Sequence, residues 1–189
     1  MPNTSCAGIW MQTTMLLRIA HSVAKTSTTM TTIAPTKKSD WRFRGQLFEE
    51  AADWLGFVYV IHNTRDDRRY IGKKMLVSTR TRMVRGRRRR MTAESDWRTY
   101  WGSNPHVHAD RDRLGVDGFE RHIVYLVRSK GVLSYLEAKT QFDAGVLLDP
   151  HRFYNGIINC RINARHVRSM QDVESDAALL QTITRTHSQ

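Results

Sequence analysis

The sequence predicts an α+β domain in which a small three-stranded antiparallel sheet is flanked by helices. Two β-prone runs joined by a short polar turn indicate a hairpin within residues 57–77, and a third run follows at 119–127. Segments with helical spacing separate and follow these runs. The chain has 189 residues and is 40% hydrophobic, which suffices for one domain with its own core.

The first predicted elements are a helix and the hairpin. Residues 46–54 (QLFEEAADW) carry apolar residues near helical spacing, which predicts a short helix before Gly56. The continuous apolar run at 57–61 (FVYVI) is typical of a strand buried on both faces. After the polar turn NTRDDR, the segment RRYIGKKMLV resumes strand character. The arginine-rich residues 82–91 cannot bury their charges, so we expect an exposed loop there.

The remaining elements alternate between helices and extended segments. Hydroxyl and acidic residues suit the start of a helix at 92–100, a second helix is predicted at 106–114, and Ser134 suits the cap of a long third helix. The third strand lies at 119–127 (FERHIVYLV). Residues 153–162 (FYNGIINCRI) predict a final short strand or extended segment.

These elements place the domain at residues 46–163, between two polar segments. Residues 1–45 form an N-terminal extension, in which nine of the 18 residues at 22–39 are Ser or Thr, and a flexible segment is expected. A transit peptide and an upstream extension ahead of a start at Met30 are the alternatives. Residues 164–189 form a polar C-terminal tail, which we expect to be helical or loose.

The charge of the chain indicates a polyanionic partner. The formal net charge is +12, and residues 65–90 hold 12 Lys or Arg against two Asp. A solvated basic loop is the plain interpretation of such a run. An excess this localised favours nucleic acid, because each neutralised phosphate releases condensed counterions. No run of about 18 apolar residues occurs, so we expect no membrane partner.

Cysteine and histidine give no sign of a transition-metal site. Cys6 and Cys160 lie far apart without a CxxC motif, which fits a reducing, cytoplasmic setting. His106 and His108 would diverge if they lay two residues apart on a helix.

Two tyrosine motifs lie on the predicted hairpin. The run FVY ends at Tyr59, and YIG begins 11 residues later at Tyr70. This pair resembles the motifs of GIY-YIG nucleases, with Phe-Val in place of the usual Gly-Ile. The resemblance covers roughly residues 55–163 and continues at three later positions, Arg80, Glu137 and Asn155. The segments YIGKK, ESDWRTYWGS and SYLEAK resemble those of phage homing endonucleases of the Seg type.

The resemblance implies an endonuclease that cuts double-stranded DNA with Mg²⁺ or Mn²⁺, in the cytoplasm of a bacterial host. Glu137 would bind the metal, and Arg80, on a helix after the second motif, would clamp a nonbridging phosphate oxygen. Tyr59 would deprotonate or position the attacking water, and Tyr70 would orient the water or the phosphate. Asn155 would hold the site together.

Each of these residues also has a structural interpretation. Tyr59 and Tyr70 fit as core aromatics with a polar tip, and Glu137 as a helix-surface carboxylate. Asn155 precedes a glycine and fits a turn. Arg82, two residues after the predicted clamp, is an alternative to it.

The basic residues around the second motif are expected to act on DNA or on the tyrosines. A free phenol has a pKa near 10, so Tyr59 needs a cationic neighbour to act as a base. Lys73 and Lys74 are the candidates for that neighbour. The residues predicted to contact nucleic acid are Lys73, Lys74, Arg82, Arg85, Arg87, Arg88, Arg89 and Arg90. The sequence therefore predicts a metal-dependent DNA endonuclease, and a catalytically inactive nucleic-acid-binding module on the same fold is the alternative.

Overall fold

The computed structural model describes residues 40–168 and 170–184, which form eight strands and three α-helices. The strands are β1 (Trp41–Phe43), β2 (Gln46–Leu47), β3 (Gly56–Asn63), β4 (Arg69–Met75), β5 (Val77–Val84), β6 (Arg87–Glu94), β7 (Phe119–Val127) and β8 (Val173–Ser175). The helices are α1 (Pro105–Leu114), α2 (Lys130–Asp143) and α3 (Ala177–Thr184). Most of the predicted N-terminal extension, including the alternative start at Met30, lies outside the described residues.

The main sheet has six strands rather than the predicted three, although the α+β class is as expected. Its order is β2-β1-β7-β3-β4, and β8 pairs with the far end of β7. The three predicted strands are β3, β4 and β7, which occupy one side of this order. The additional strands β1, β2 and β8 are only two or three residues long. Such short strands show no alternating pattern, so hydrophobic periodicity could not reveal them.

The predicted hairpin is confirmed, and its register determines which residues share a face. Antiparallel pairing of β3 with β4 places Tyr59 opposite Gly72 and Ile61 opposite Tyr70. Every residue of β3 except His62 is buried, because both faces of the sheet are covered. On one face Val58, Val60 and Ile71 pack with α2, whereas on the other Phe57, Tyr59 and Ile61 pack with Trp41 and Trp97.

Strands β5 and β6 form a separate two-stranded sheet, which we call the arm (Val77–Glu94). The prediction of a loop at 82–91 is wrong, although residues 79–94 are all exposed, as expected. A two-residue turn joins the strands, with positive φ at both Arg85 (50°) and Gly86 (74°). Positive φ at both positions is the requirement of a type I′ hairpin turn. The charge of this segment predicts a loop. The backbone hydrogen bonds between paired strands, however, form whether or not the side chains are buried.

Two predicted helices are wrong. Residues 46–54 contain β2 and irregular backbone, and β6 occupies the start of 92–100, followed by a 3₁₀ turn at Trp97–Thr99. The other two predicted helices are confirmed as α1 and α2, and α2 begins earlier in the chain than predicted. Helix α1 begins after Asn104, whose side chain accepts hydrogen bonds from the backbone of the first turn. Helix α2 begins at Lys130, four residues before the predicted cap.

The described residues of the C-terminal region, up to Thr184, are part of the fold. Instead of a strand, residues 153–162 form irregular backbone with one bridge between Phe153 and Arg69. The predicted tail is not a loose appendage, because β8 joins the sheet and Ile183 of α3 is 1% exposed in the core. Among the described residues, no helix has the length and apolarity needed to cross a membrane.

Candidate active site

A pocket of about 380 Å³ lies beside β4, the edge strand of the main sheet. Its lining comes from β4, the start of α1, one face of α2 and the segment after Tyr154. The lining residues with polar side chains are Tyr70, Lys73, Ser103, Asn104, Glu137, Gln141, Asn155 and Asn159. Three of the five predicted catalytic residues, Tyr70, Glu137 and Asn155, are therefore brought together.

Asn155 fastens the edge of β4 to the rest of the domain. Its Oδ1 accepts a hydrogen bond from the Ile71 N–H (2.9 Å), and its Nδ2 donates to the Ile71 carbonyl (2.8 Å). Gln141 Nε2 donates to the same carbonyl (3.0 Å). Asn155 is 6% exposed, so these bonds lie away from water. The side chain thus takes the place of a neighbouring strand, which favours the site-holding interpretation of Asn155 over a turn alone.

Glu137 is paired with a lysine from β4. Lys73 Nζ lies 2.7 Å from Glu137 Oε2 and donates a hydrogen bond to Ser134 Oγ (3.2 Å). The Glu137 side chain is 15% exposed and that of Lys73 36%, so the carboxylate is the more enclosed partner. Lys73, predicted as a DNA contact, therefore also supplies the positive charge next to the pocket's carboxylate.

Tyr59 lies beneath the pocket and is not part of its lining. The residue is 1% exposed, and a Cβ on Gly72, its partner across the strands, would come within 2.5 Å of the Tyr59 hydroxyl oxygen. A Cβ on Gly102 would come within 3.3 Å of the same oxygen. The phenol thus occupies space that only two glycines leave open. Any side chain at Gly72 would collide with the Tyr59 hydroxyl, so the tyrosine of the first motif requires the glycine of the second.

Both tyrosines hold their protons more firmly than a free phenol. Burial, followed by the neighbouring Tyr70 and Tyr100, raises the pKa of Tyr59 well above its usual value. Burial also raises the pKa of Tyr70, whose hydroxyl oxygen lies 3.3 Å from Ser103 Oγ. The two rings are 6.1 Å apart. At neutral pH both phenols are therefore protonated.

Lys74 is engaged on the aromatic side of the sheet. Its Nζ pairs with Asp96 Oδ1 (2.6 Å) and lies 3.7 Å from the centre of the Tyr100 ring. The expectation that Lys73 and Lys74 lower the pKa of Tyr59 is wrong, because neither lysine is among the groups that shift it. Each lysine is balanced by a carboxylate, so burial dominates the pKa of the phenol.

The predicted arginine clamp lies away from the pocket. Arg80 is on β5, so the prediction that it lies on a helix after the second motif is wrong. A cleft of about 970 Å³ separates the arm from α2, and Thr79, Thr81 and Arg90 line it from the arm. Side chains alternate along a strand, so Arg80 lies on the opposite face of the arm. Arg82, the alternative clamp, shares that outer face.

The pocket suits a single hard cation with few protein ligands. Glu137 is the one carboxylate in its lining, and the described residues contain no group of three or more His, Cys, Asp or Glu that could hold a metal. The other donors around it are hydroxyl and amide oxygens, the ligand type that Mg²⁺ and Mn²⁺ prefer. These residues fit a Mg²⁺ or Mn²⁺ ion that keeps several waters.

Sequence reasoning missed four polar residues of the pocket, which are Ser103, Asn104, Gln141 and Asn159. Gln141 lies four residues after Glu137 on the same face of α2, a spacing that would have revealed it. Ser103 follows Gly102 in the WGS segment, and its position beside Tyr70 had no signal in the spacing of the motifs.

One protein family matches the chain. The model described as "Putative endonuclease segE, GIY-YIG domain" matches residues 41–158, which is more than half of the chain. The match includes β1 through α2 and the segment with Asn155, so it includes every strand and helix that lines the pocket. No curated protein and no solved structure matches.

Proposed function

Because the chain belongs to the family of the putative endonuclease segE GIY-YIG domain, we propose that it is a divalent-metal-dependent endonuclease of double-stranded DNA. The observation that carries the proposal is the pocket beside β4. Tyr70, Lys73, Glu137 and Asn155 converge there from segments distant in the chain. Their chemistry provides a metal ligand, a cation, a hydroxyl and an amide around one pocket of about 380 Å³.

Glu137 would hold the metal through the enclosed carboxylate, with pocket amide and hydroxyl oxygens and water around it. A bound Mg²⁺ or Mn²⁺ supplies positive charge beside the phosphate and lowers the pKa of its water. Lys73 lies where the pocket meets the cleft, since it lines both. Its ammonium would stabilise the negative charge that develops on the phosphoryl oxygens.

The tyrosines would act as donors and supports. Tyr70, with Ser103, would donate a hydrogen bond that orients the water or the phosphate. Tyr59 retains its proton, so we assign it to holding Tyr70 and β4 in position instead of removing a proton from water. Asn155 holds β4 against the segment after Tyr154 through its two bonds to Ile71, and Gln141 holds it against α2.

We assign the phosphate contacts to Lys73 beside the pocket and to Arg90 along the cleft. Both line the cleft, whereas Arg80 lies on the other face of the arm. Guanidinium and ammonium groups at these positions would bind successive phosphates of one strand.

A catalytically inactive DNA-binding module on the same fold is the second candidate. Two observations favour it: the phenol of Tyr59 is buried outside the pocket, and the predicted arginine clamp is absent from the pocket lining. The convergence of Tyr70, Glu137 and Asn155 favours the enzyme, because a binding module does not require a metal ligand beside the phosphate.

A plasmid nicking assay separates the two candidates. Supercoiled plasmid is incubated with the full chain in Mg²⁺, in Mn²⁺ and in EDTA, and the open-circular and shifted forms are quantified. The nuclease predicts open circles with either ion and none in EDTA. Retarded but intact plasmid in every condition would identify a binding module, and neither nicking nor retardation would contradict both candidates.

A further inference from the structure

The arm carries a positive charge that the protein itself does not neutralise. Seven arginines lie on it: Arg80, Arg82, Arg85, Arg87, Arg88, Arg89 and Arg90. Within residues 40–168 and 170–184, none of the seven pairs with a carboxylate. The acids at the base of the arm are already engaged, Glu94 by Arg98 and Asp96 by Lys74. The arm therefore presents unpaired cations to an external anion.

The pairing register gathers four of these arginines on the outer face. Arg82 lies directly opposite Arg89, and Arg87 opposite Val84, so Arg80, Arg82, Arg87 and Arg89 share one side of the ribbon. Like charges directly opposite each other destabilise a free hairpin. A polyanion or a row of hydrogen-bond acceptors between them would relieve that repulsion.

The opposite face of the arm borders the cleft that leads to the pocket. Thr79, Thr81, Arg90 and Thr92 line this cleft together with Lys130 and Ser134 of α2. Lys73 lines both the cleft and the pocket, so a strand bound in the cleft would reach Glu137. The cleft volume, about 970 Å³, lies at the upper end of the roughly 300–1,000 Å³ that hold one small ligand. That space suits a few nucleotides of one backbone and is too small for a duplex.

If one backbone of a duplex lies in the cleft, the arm lies alongside that backbone. The arm then occupies one of the two grooves of the DNA. The major groove, about 12 Å wide, admits a two-stranded β-ribbon without distortion, whereas the minor groove, about 6 Å wide, must be widened by bending the DNA before a ribbon enters it. We propose that the arm lies in the major groove beside the scissile strand, where Arg82 and Arg89 on its outer face contact guanines. The inference rests on the proposed function and deepens it, since it assigns the recognition element.

Side-chain chemistry and length agree with this placement. Arginine is the commonest reader of guanine O6 and N7, and apolar side chains contact the thymine methyl group. On the outer face, opposite Arg80, Met91 is 49% exposed, with no core to fill. Eight residues per strand span about 26 Å. At about 3.4 Å per base pair, the arm would cover about eight base pairs on one side of the cut.

Methylation interference tests the groove and the residues without requiring cleavage. A short plasmid-derived duplex is partially methylated with dimethyl sulfate, bound to the full chain in EDTA, and the bound fraction is sequenced chemically. Dimethyl sulfate marks guanine N7 in the major groove and adenine N3 in the minor groove. We expect bound DNA to lack N7-methylated guanines over about eight consecutive base pairs. Methylation of adenine N3 should have no effect on binding.

The variant R82Q/R89Q should lose this guanine pattern while retaining binding. The matched control R113Q/K139Q removes two exposed cations away from the arm and should keep the pattern. Interference at adenine N3 alone, or an unchanged guanine pattern in R82Q/R89Q, would overturn the proposal. Guanine interference by a protein that does not nick plasmid would refute the nuclease and leave the arm assignment standing. Failure to bind any duplex would refute both.

Discussion

Replacement of Asn155 by alanine tests whether the edge of β4 depends on one side chain. The Ile71 N–H is buried, and Asn155 Oδ1 is its partner, so the variant leaves a buried donor unpaired at a cost of about 1–3 kcal/mol. The lost bond to the Ile71 carbonyl adds about 0.5–1.5 kcal/mol. Since Gln141 still donates to that carbonyl, the total should be about 2–4 kcal/mol.

Gln141→Met is the matched control, because it removes one donor from a carbonyl that keeps Asn155. It should cost only about 0.5–1.5 kcal/mol. In the Asn155→Ala background the same change should cost more, about 1–3 kcal/mol, because the carbonyl then has no donor. Urea unfolding of the four proteins measures the cycle. Equal costs for the two single variants, or strictly additive costs, would refute the shared role at Ile71.

Three further predictions concern packing and pH. Gly72→Ala should destabilise the domain by about 1–3 kcal/mol because its methyl group would meet the Tyr59 hydroxyl, whereas Gly156→Ala, with open space around its Cβ, should be near neutral in the same urea unfolding assay. Ile183→Ala should cost about 2–5 kcal/mol in that assay, since α3 is part of the core; an unchanged midpoint would show that the tail is dispensable. Burial raises the pKa of Tyr154 to about 12, so its contribution to stability is complete below the unfolded pKa near 10 and is lost as the pH rises toward 12. Tyr154→Phe should therefore make the alkaline fall in unfolding free energy shallower, and an unchanged slope would contradict this origin.

The strands that carry the tyrosine motifs could be predicted because each is an uninterrupted run of β-prone residues in the sequence. The buried run at 57–61 corresponds to β3, the run RRYIGKKMLV contains β4, and the run at 119–127 corresponds to β7. The strands β1 and β8 could not be predicted, because each has only three residues and gains stability from pairing with β7. The arm gives two opposing signals in the sequence. Its β-branched residues and Arg-Gly turn favour a hairpin, whereas its run of arginines favours an exposed loop.

The pocket residues that belong to the family motifs could be predicted, because the spacing of those motifs along the chain follows from the fold of the backbone. Tyr70, Glu137 and Asn155 line one pocket, as the resemblance implied. The pairing of Lys73 with Glu137 could not be predicted, because it depends on how α2 packs on β4. The position of Arg80 could not be deduced from spacing, because a hairpin follows the second motif where a helix was expected.

Single-turnover nicking by Glu137→Gln tests the central claim most directly. The variant keeps the shape of the side chain and removes the charge that would hold the metal. Asp143→Asn on the same helix, whose carboxylate pairs with Lys139 outside the pocket lining, is the matched control. With DNA affinity measured in parallel in EDTA, we predict that Glu137→Gln binds DNA like the wild type and nicks at least about 100-fold more slowly, while Asp143→Asn nicks normally. Wild-type nicking by Glu137→Gln in saturating Mg²⁺ would contradict the assignment of this pocket as the catalytic centre.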